Sequence, residues 1–375
     1  MTDRIYLDFN ASTPLADEVV TAMEPFQRAS YGNPSSQHWA GLPARDAVET
    51  ARSRVAALLC CDATEIVFTS GGTEANNQAI KGVFFAQRAC RWSHIITSQI
   101  EHPAVLEPCR FLETLGCEVT RLPVDQQGLV DPDDVRRAMR PETILVSIMH
   151  ANNEVGTIQP IEDIARIARQ HGVFSHTDAA QSVGKIPVDV ESLGVDLLSV
   201  AGHKLYGPKG VGTLFVREGV ALEPLLHGAG HEAGRRAGTE NVVSIVGLGA
   251  ACEVARRLID DTKVIQLRDY FWQRLRERFE ERVVLNGHPE RRLPNTLNVS
   301  FRGSNGGDIL AKLPNVAAST GSACHAGVTQ ISPVLAAMSV PADISLGAIR
   351  FSLGRSTTHE EINRVIEALP HGLVR

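Results

Sequence analysis

Short apolar runs alternate with helical periodicities along the first two-thirds of the chain. Between residues 44 and 59, Ala47, Val48, Ala51, Val55, Leu58 and Leu59 recur at helical spacing and make one apolar stripe. Residues 65–69 predict a strand that runs straight into Ser70-Gly-Gly-Thr73, which opens a helix through Ala79, Ile80, Val83 and Phe84. Further strands are predicted at 94–98, 118–122, 143–149, 173–177 and 196–200, with helices at 103–115, 132–139 and 161–170 between them. The first fifteen residues read as extended and residues 32–36 as a loop. Strictly alternating strands and helices imply an α/β fold, a mostly parallel sheet flanked by helices. Ligands in such sheets bind beyond the carboxyl ends of the strands.

One stretch departs from simple alternation. The apolar run 195–200 enters a Gly202-His-Lys204 turn, and a second apolar run, 211–216, follows a Gly/Pro-punctuated loop. This predicts a strand, a sharp turn presenting one lysine, and a hairpin-like return. Residues 217–240 form a Gly/His/Arg-rich connection without apolar periodicity, suited to a functional or interface loop. Helices are predicted at 241–259 and 262–279. The pattern then shifts to strands at 295–301, 316–319 and 348–353, and a helix from Thr358, whose capping box is completed by Glu361. The expected organisation is a large domain over 16–257 and a smaller α+β domain made of 1–15 and 258–375.

Composition narrows the function more than the fold. The chain has 375 residues, 43% hydrophobic and 21% charged, with a net charge of −6. An acidic chain of this kind is not expected to bind nucleic acid. The sequence shows neither a signal peptide nor a membrane-length apolar run, so a cytoplasmic location without membrane attachment is expected. Among seven cysteines no Cys-x-x-Cys pair occurs, and no metal site is expected. Cys324 stands apart from the others. It lies in a small-residue loop beside His325, where a thiolate would be accessible; an inert loop cysteine is the alternative reading.

The polar residues just past the predicted strand ends are Thr73, His102, Asn152, Asn153, Asp178, Gln181, His203 and Lys204. A lysine beside a buried strand can serve as an amine nucleophile, because partial desolvation lowers its pKa. The helix opened by Gly71-Gly72-Thr73 offers free N–H groups and a positive dipole end to one phosphate. Neither Gly-x-Gly-x-x-Gly nor a Walker pattern is present, so a one-phosphate cofactor fits better than a nucleotide. A lysine, a carboxylate, a phosphate-binding helix start and a flat imidazole together are what pyridoxal phosphate requires.

With those pieces in place the chain resembles the cysteine desulfurases (NifS-like) of the fold-type I, class V aminotransferase superfamily, and the closely related selenocysteine lyases. The resemblance runs through the Tyr6-Leu-Asp-Phe-Asn10, Gly32-Asn-Pro-Ser-Ser36, Thr69-Ser-Gly-Gly-Thr73 and Asn152-Asn-Glu-Val-Gly156 segments. It continues in His176-Thr-Asp-Ala-Ala-Gln181, Gly202-His-Lys-Leu-Tyr-Gly-Pro-Lys209, Arg236-Ala-Gly-Thr239, Gly321-Ser-Ala-Cys324 and Ile349-Arg-Phe-Ser-Leu-Gly-Arg355.

The resemblance implies residue roles. Lys204 would form the Schiff base with pyridoxal 5'-phosphate, Asp178 would pair with its pyridine nitrogen and Gln181 with its ring oxygen. His102 would stack on the ring and assist proton transfer. Gly72, Thr73 and His203 would hold the phosphate, joined by Thr239 of the other subunit of a homodimer. Asn153 and Arg350 would bind the substrate carboxylate. Cys324 would take the sulfur of L-cysteine as a persulfide for a sulfur-acceptor or scaffold protein, leaving L-alanine; L-selenocysteine is the alternative substrate. One departure is Ala201, where the family often carries a hydroxyl that binds the phosphate.

Overall fold

The computed structural model describes residues 4–87, 93–320 and 331–370. Its strands are β1 (Ile5–Tyr6), β2 (Ile66–Thr69), β3 (His94–Ser98), β4 (Glu118–Leu122), β5 (Thr143–Ser147), β6 (Phe174–Asp178), β7 (Leu197–Ala201), β8 (Gly212–Val216), β9 (Val283–Leu285), β10 (Thr296–Phe301), β11 (Val316–Ala317) and β12 (Ala348–Ser352). A seven-stranded sheet runs in the order β2-β8-β7-β6-β5-β3-β4. The neighbours from β7 to β4 are parallel, whereas β8 pairs antiparallel with both β7 and β2. The expected hairpin-like return after Lys204 is thus β7–β8.

Helices cover both faces, which is why β3, β5, β7 and β8 are buried along their whole length instead of alternating. On one face Val48, Val55 and Leu59 of helix Leu42–Leu59 and Leu248 of helix Val242–Arg257 pack against Phe68 and Phe215. On the other, Ile80 and Val83 of helix Gly72–Ala86 and Val105 of helix Pro103–Glu113 cover Ile95, Leu145 and Leu197. The edge strand β4 is the exception, with Glu118 exposed and Arg121 half-buried, charges that discourage further pairing.

A second core belongs to the C-terminal part together with the N-terminal strand. The antiparallel sheet β12-β10-β9 and the parallel pair β1-β11 surround Leu7, Leu267, Phe271, Phe279, Val299, Phe301 and Phe351. Chain start and chain end therefore share one core. Helix Asp17–Arg28 was not expected from the pattern: only Val19 and Met23 are buried, and Pro25 interrupts it. Strand β9 was not expected either, being three residues long. Among the described residues no helix is long and apolar enough to cross a membrane.

Two glycines set the position of the helix that starts at Gly72. Gly71 has φ 145° and ψ −179°, a conformation open essentially to glycine alone. A Cβ on Gly212 would lie 2.4 Å from the Val200 carbonyl oxygen and 2.7 Å from Gly71 Cα. The backbone conformation of Gly71 and the missing side chain at Gly212 let the β2-to-helix turn settle onto the β7–β8 hairpin.

Candidate active site

Beyond the carboxyl ends of the parallel strands lies a cavity of about 430 Å³. The expected residues Gly72, Thr73, His102, Asn153 and Asp178 line it, as do Gln181, His203, Lys204 and Arg350. Ala201 is in the wall too. Thr239 is exposed and lines a separate cleft next to Ser70, not this cavity of its own chain. Cys324 lies outside the described residues. More open clefts of about 650 and 1140 Å³ lie near Arg52 and near Trp272, but neither gathers an amine, a carboxylate and a free helix N-terminus.

Lys204 closes the short turn after β7, and its Nζ donates to the carbonyl oxygens of Asn10 (2.6 Å) and Ala11 (2.8 Å). Burial and then the Arg350 guanidinium lower its pKa to about 8, against the opposing pull of Asp178 and Asp8. A useful fraction of this amine is unprotonated near neutral pH, as nucleophilic attack requires. Asp178 ends β6; Asn76 Nδ2 donates to one of its oxygens (2.7 Å) and the Ala180 N–H to the other (2.9 Å). Both donors fix the plane of the carboxylate.

His102 caps helix Pro103–Glu113. Its Nδ1 accepts from the Ala104 N–H at 3.0 Å, so the ring carries its proton on Nε2. Burial, with Lys204 adding to it, lowers the pKa of His102 even though Asp178 pulls the other way. His203 is also held neutral, its pKa lowered to about 4 by burial and then by Lys204 and Lys209. Arg350 on β12 donates to Asp8 Oδ1 (2.7 Å) and to the Asn153 carbonyl oxygen (2.9 Å), which aims the guanidinium into the cavity from the second core. Asn152, another strand-end polar residue, forms a turn instead, accepting from the N–H groups of Glu154 and Val155 at 2.9 Å.

The sequence reading gave no role to Asn10 and Asn76. Asn10 is buried where the two cores meet. Its carbonyl accepts from Lys204 and from Gln181 Nε2 (3.0 Å), and its Nδ2 donates to Thr296 Oγ1 (2.8 Å). Asn76 sits one helical turn beyond Gly72, on the face turned to Asp178. Its burial shows only in the fold, so no signal in the sequence revealed it.

The remaining thiols among the described residues are poor nucleophiles, apart from exposed Cys60. Burial pushes Cys61, Cys109, Cys117 and Cys252 up to about 12. Among the described residues no cluster of His, Cys, Asp or Glu could hold a metal ion.

The family model for class-V aminotransferases matches residues 5–365. The chain belongs to the class-V aminotransferase family. Among curated proteins, the cysteine desulfurase IscS of Dictyoglomus turgidum is 51% identical over 373 residues, covering 98% of this chain and 94% of that protein. The cysteine desulfurase IscS of Methanosarcina thermophila is 48% identical, covering 98% of this chain and 91% of that protein. Among solved structures, a NifS-like protein superposes with a TM-score of 0.90 at 40% identity, covering 97% of each chain. SspA in complex with cysteine superposes with a TM-score of 0.84 at 40% identity, over 93% of this chain and 98% of that one.

Proposed function

We propose that this chain is a pyridoxal-phosphate-dependent cysteine desulfurase, which moves the sulfur of L-cysteine onto Cys324 and leaves L-alanine. The observation that carries this reading is the shared cavity: the Lys204 amine, the Asp178 carboxylate and the first turn of helix Gly72–Ala86 all open onto it. That donor set fits the cofactor. The N–H groups and hydroxyl at Gly72 and Thr73, with the neutral His203 ring, would hold the phosphate. Asp178, its plane set by Asn76 and Ala180, would face the pyridine nitrogen, and Gln181 the ring oxygen. When bound, pyridoxal phosphate supplies an electron sink for the charge left at the substrate α-carbon.

The chain's own groups supply the rest. Arg350, with Asn153, would bind the substrate carboxylate by charge-assisted hydrogen bonds. Lys204 Nζ, lowered to about 8, can accept the α-proton near neutral pH and return it. His102 Nε2–H is placed as a donor, because Nδ1 is occupied by the Ala104 N–H. The Cys324 thiolate then forms a bond to the substrate sulfur as the substrate Cβ–S bond breaks, and the electron pair of that bond stays with carbon. The persulfide on Cys324 passes to an acceptor or scaffold protein. Thr239 would reach the phosphate site of the partner subunit in a homodimer, which suits its place outside its own cavity. Residues 16–257 would act as the cofactor-binding unit, and 1–15 with 258–375 as the unit that carries Arg350 and Cys324.

The test is an assay of alanine and sulfide from L-cysteine, run beside selenide release from L-selenocysteine. With an added thiol reductant to release the persulfide's outer sulfur as sulfide, equimolar alanine and sulfide are expected, with Cys324→Ala keeping the bound cofactor and losing sulfide release. Full sulfide release in Cys324→Ala would overturn the nucleophile. A kcat/KM far higher for L-selenocysteine would make the chain a selenocysteine lyase.

A further inference from the structure

Lys185 is a lysine with no acidic partner among the described residues, placed behind the wall of the cavity. Its Nζ donates to Asn10 Oδ1 (2.9 Å) and to Gln181 Oε1 (2.7 Å). The other end of the Gln181 amide, Nε2, donates to the Asn10 carbonyl oxygen (3.0 Å), which also accepts from Lys204 Nζ (2.6 Å). Asn10 therefore joins the two amines, one through its main chain and one through its side chain. Lys185 and Lys204 also line one small second cavity of about 70 Å³ on the side away from the cofactor site.

We propose that Lys185 is a positioning residue of this active site: its two hydrogen bonds fix which end of the Gln181 amide faces the cavity and hold Asn10 where Lys204 docks. Without a donor at Lys185, Gln181 Oε1 loses its partner, and the Nε2–Asn10 carbonyl bond alone selects the amide's orientation. The amide could then turn its carbonyl, instead of its N–H, towards the ring oxygen of a bound cofactor. The proposal rests on the cofactor reading above.

The energetic logic is specific. Lys185 is half-buried, and an ammonium drawn partly out of water without a counter-ion costs free energy. Burial, then repulsion from Lys204 and from Arg350, holds the pKa of Lys185 well below its ordinary value. A methionine of similar length would bury at less cost, so stability does not explain a lysine here. Orientation of two polar side chains does. The charged groups facing the pair are Asp178, Asp8 and Arg350 on the cofactor side, and Asp261 and Arg355 around the small cavity.

The experiment compares wild type, Lys185→Met, Gln181→Ala and the double variant as holoenzymes. The readout is the pH midpoint of the cofactor's absorbance change. A carbonyl turned to the ring oxygen disfavours its anion, so the midpoint is expected to rise in Lys185→Met by about half a unit or more, corresponding to a fraction of one neutral hydrogen bond. In the Gln181→Ala background the same substitution is expected to add no further shift, because the effect passes through Gln181. A purely structural role would lower Tm or cofactor content and leave the midpoint alone. An unchanged midpoint in Lys185→Met, or an equal shift with and without Gln181, overturns the proposal.

A second readout needs no cofactor. In the apoprotein, the pH profile of Lys204 labelling by an amine reagent, followed by mass spectrometry, is expected to move in Lys185→Met, because Lys204 loses a neighbouring amine and Asn10 Oδ1 keeps only its other donor, Asn295 Nδ2. An unmoved profile also counts against Lys185. If the wild type fails to bind pyridoxal phosphate at Lys204, the proposed function falls, while the labelling still decides the role of Lys185.

Discussion

Lys204 gains its reactivity from surroundings that the chain assembles from four separate segments. Desolvation dominates, Arg350 adds repulsion, and Asp178 and Asp8 only partly restore the charge. The sign of the pH effect follows. The amine is protonated below its lowered pKa and nucleophilic above it, so the rate of cofactor uptake by apoprotein should climb with pH through a midpoint near pH 8, not near the usual lysine value of about 10.4, and level off above it. Removing the Arg350 charge should raise the amine's pKa and move that midpoint upward. Stopped-flow uptake measurements on wild type and Arg350→Gln test this; a midpoint that stays put in the variant contradicts the electrostatic account. The types of most site residues were legible in sequence, because lysine, aspartate and histidine at strand ends carry distinctive chemistry. Asn10 and Asn76 were not. These asparagines act through partners 102 to 342 residues away, Gln181 and Ser352 for Asn10 and Asp178 for Asn76, and no local pattern announces such partners.

At the scale of elements, the proposed cofactor cradle depends on how closely a turn can approach a hairpin. Gly71 adopts a backbone conformation that side chains reject, and Gly212 leaves room for it. Gly212→Ala places a Cβ within 2.4 Å of the Val200 carbonyl oxygen, and Val200 is part of the sheet. The backbone must shift, at a cost of about 1–3 kcal/mol. Tm should fall, and the Kd for pyridoxal phosphate should rise more than the fall in Tm alone explains, because the helix N-terminus moves with Gly71. A Kd unchanged in a folded variant would show that the glycine pair does not set the cradle. The alternation of strands and helices was readable within a residue or two at most ends, since fully buried strands and striped helices have distinct periods. Helix Asp17–Arg28 escaped notice because two buried residues make too thin a stripe. Strand β9 escaped because three residues show no period at all.

Across the whole molecule, the long connection between β8 and helix Val242–Arg257 is anchored by a buried ion pair, Arg52–Glu232, next to a half-buried one, Arg236–Glu74. Glu232 accepts from Arg52 Nη1 (2.8 Å) and Nη2 (2.7 Å) and from the Phe68 N–H (2.8 Å). Glu232 and Ala233 both have positive φ, a strain this carboxylate offsets by anchoring the loop. Glu232→Ala should cost about 1–3 kcal/mol, because the Phe68 N–H and both Arg52 Nη groups lose this acceptor while Arg52 keeps exposed Glu49 as its acidic partner. Since the same loop carries Thr239, dilution should also dissociate the proposed homodimer more readily. Thermal denaturation and sedimentation velocity read the two effects; a variant with wild-type Tm would show that the pair anchors nothing. The grouping of residues 1–15 with 258–375 is expected from the sequence, whereas the individual contacts of Asn10 with Thr296 and Ser352 are not legible there.

The central claim is that the Lys204 amine is where the cofactor becomes attached. Reducing the purified protein with borohydride in the presence of pyridoxal phosphate, then mapping the digest by mass spectrometry, tests this directly. A single pyridoxyl-phosphate addition on the peptide bearing Lys204 is the expected result. The same addition on Lys185 or another lysine, with Lys204 unmodified, would contradict it.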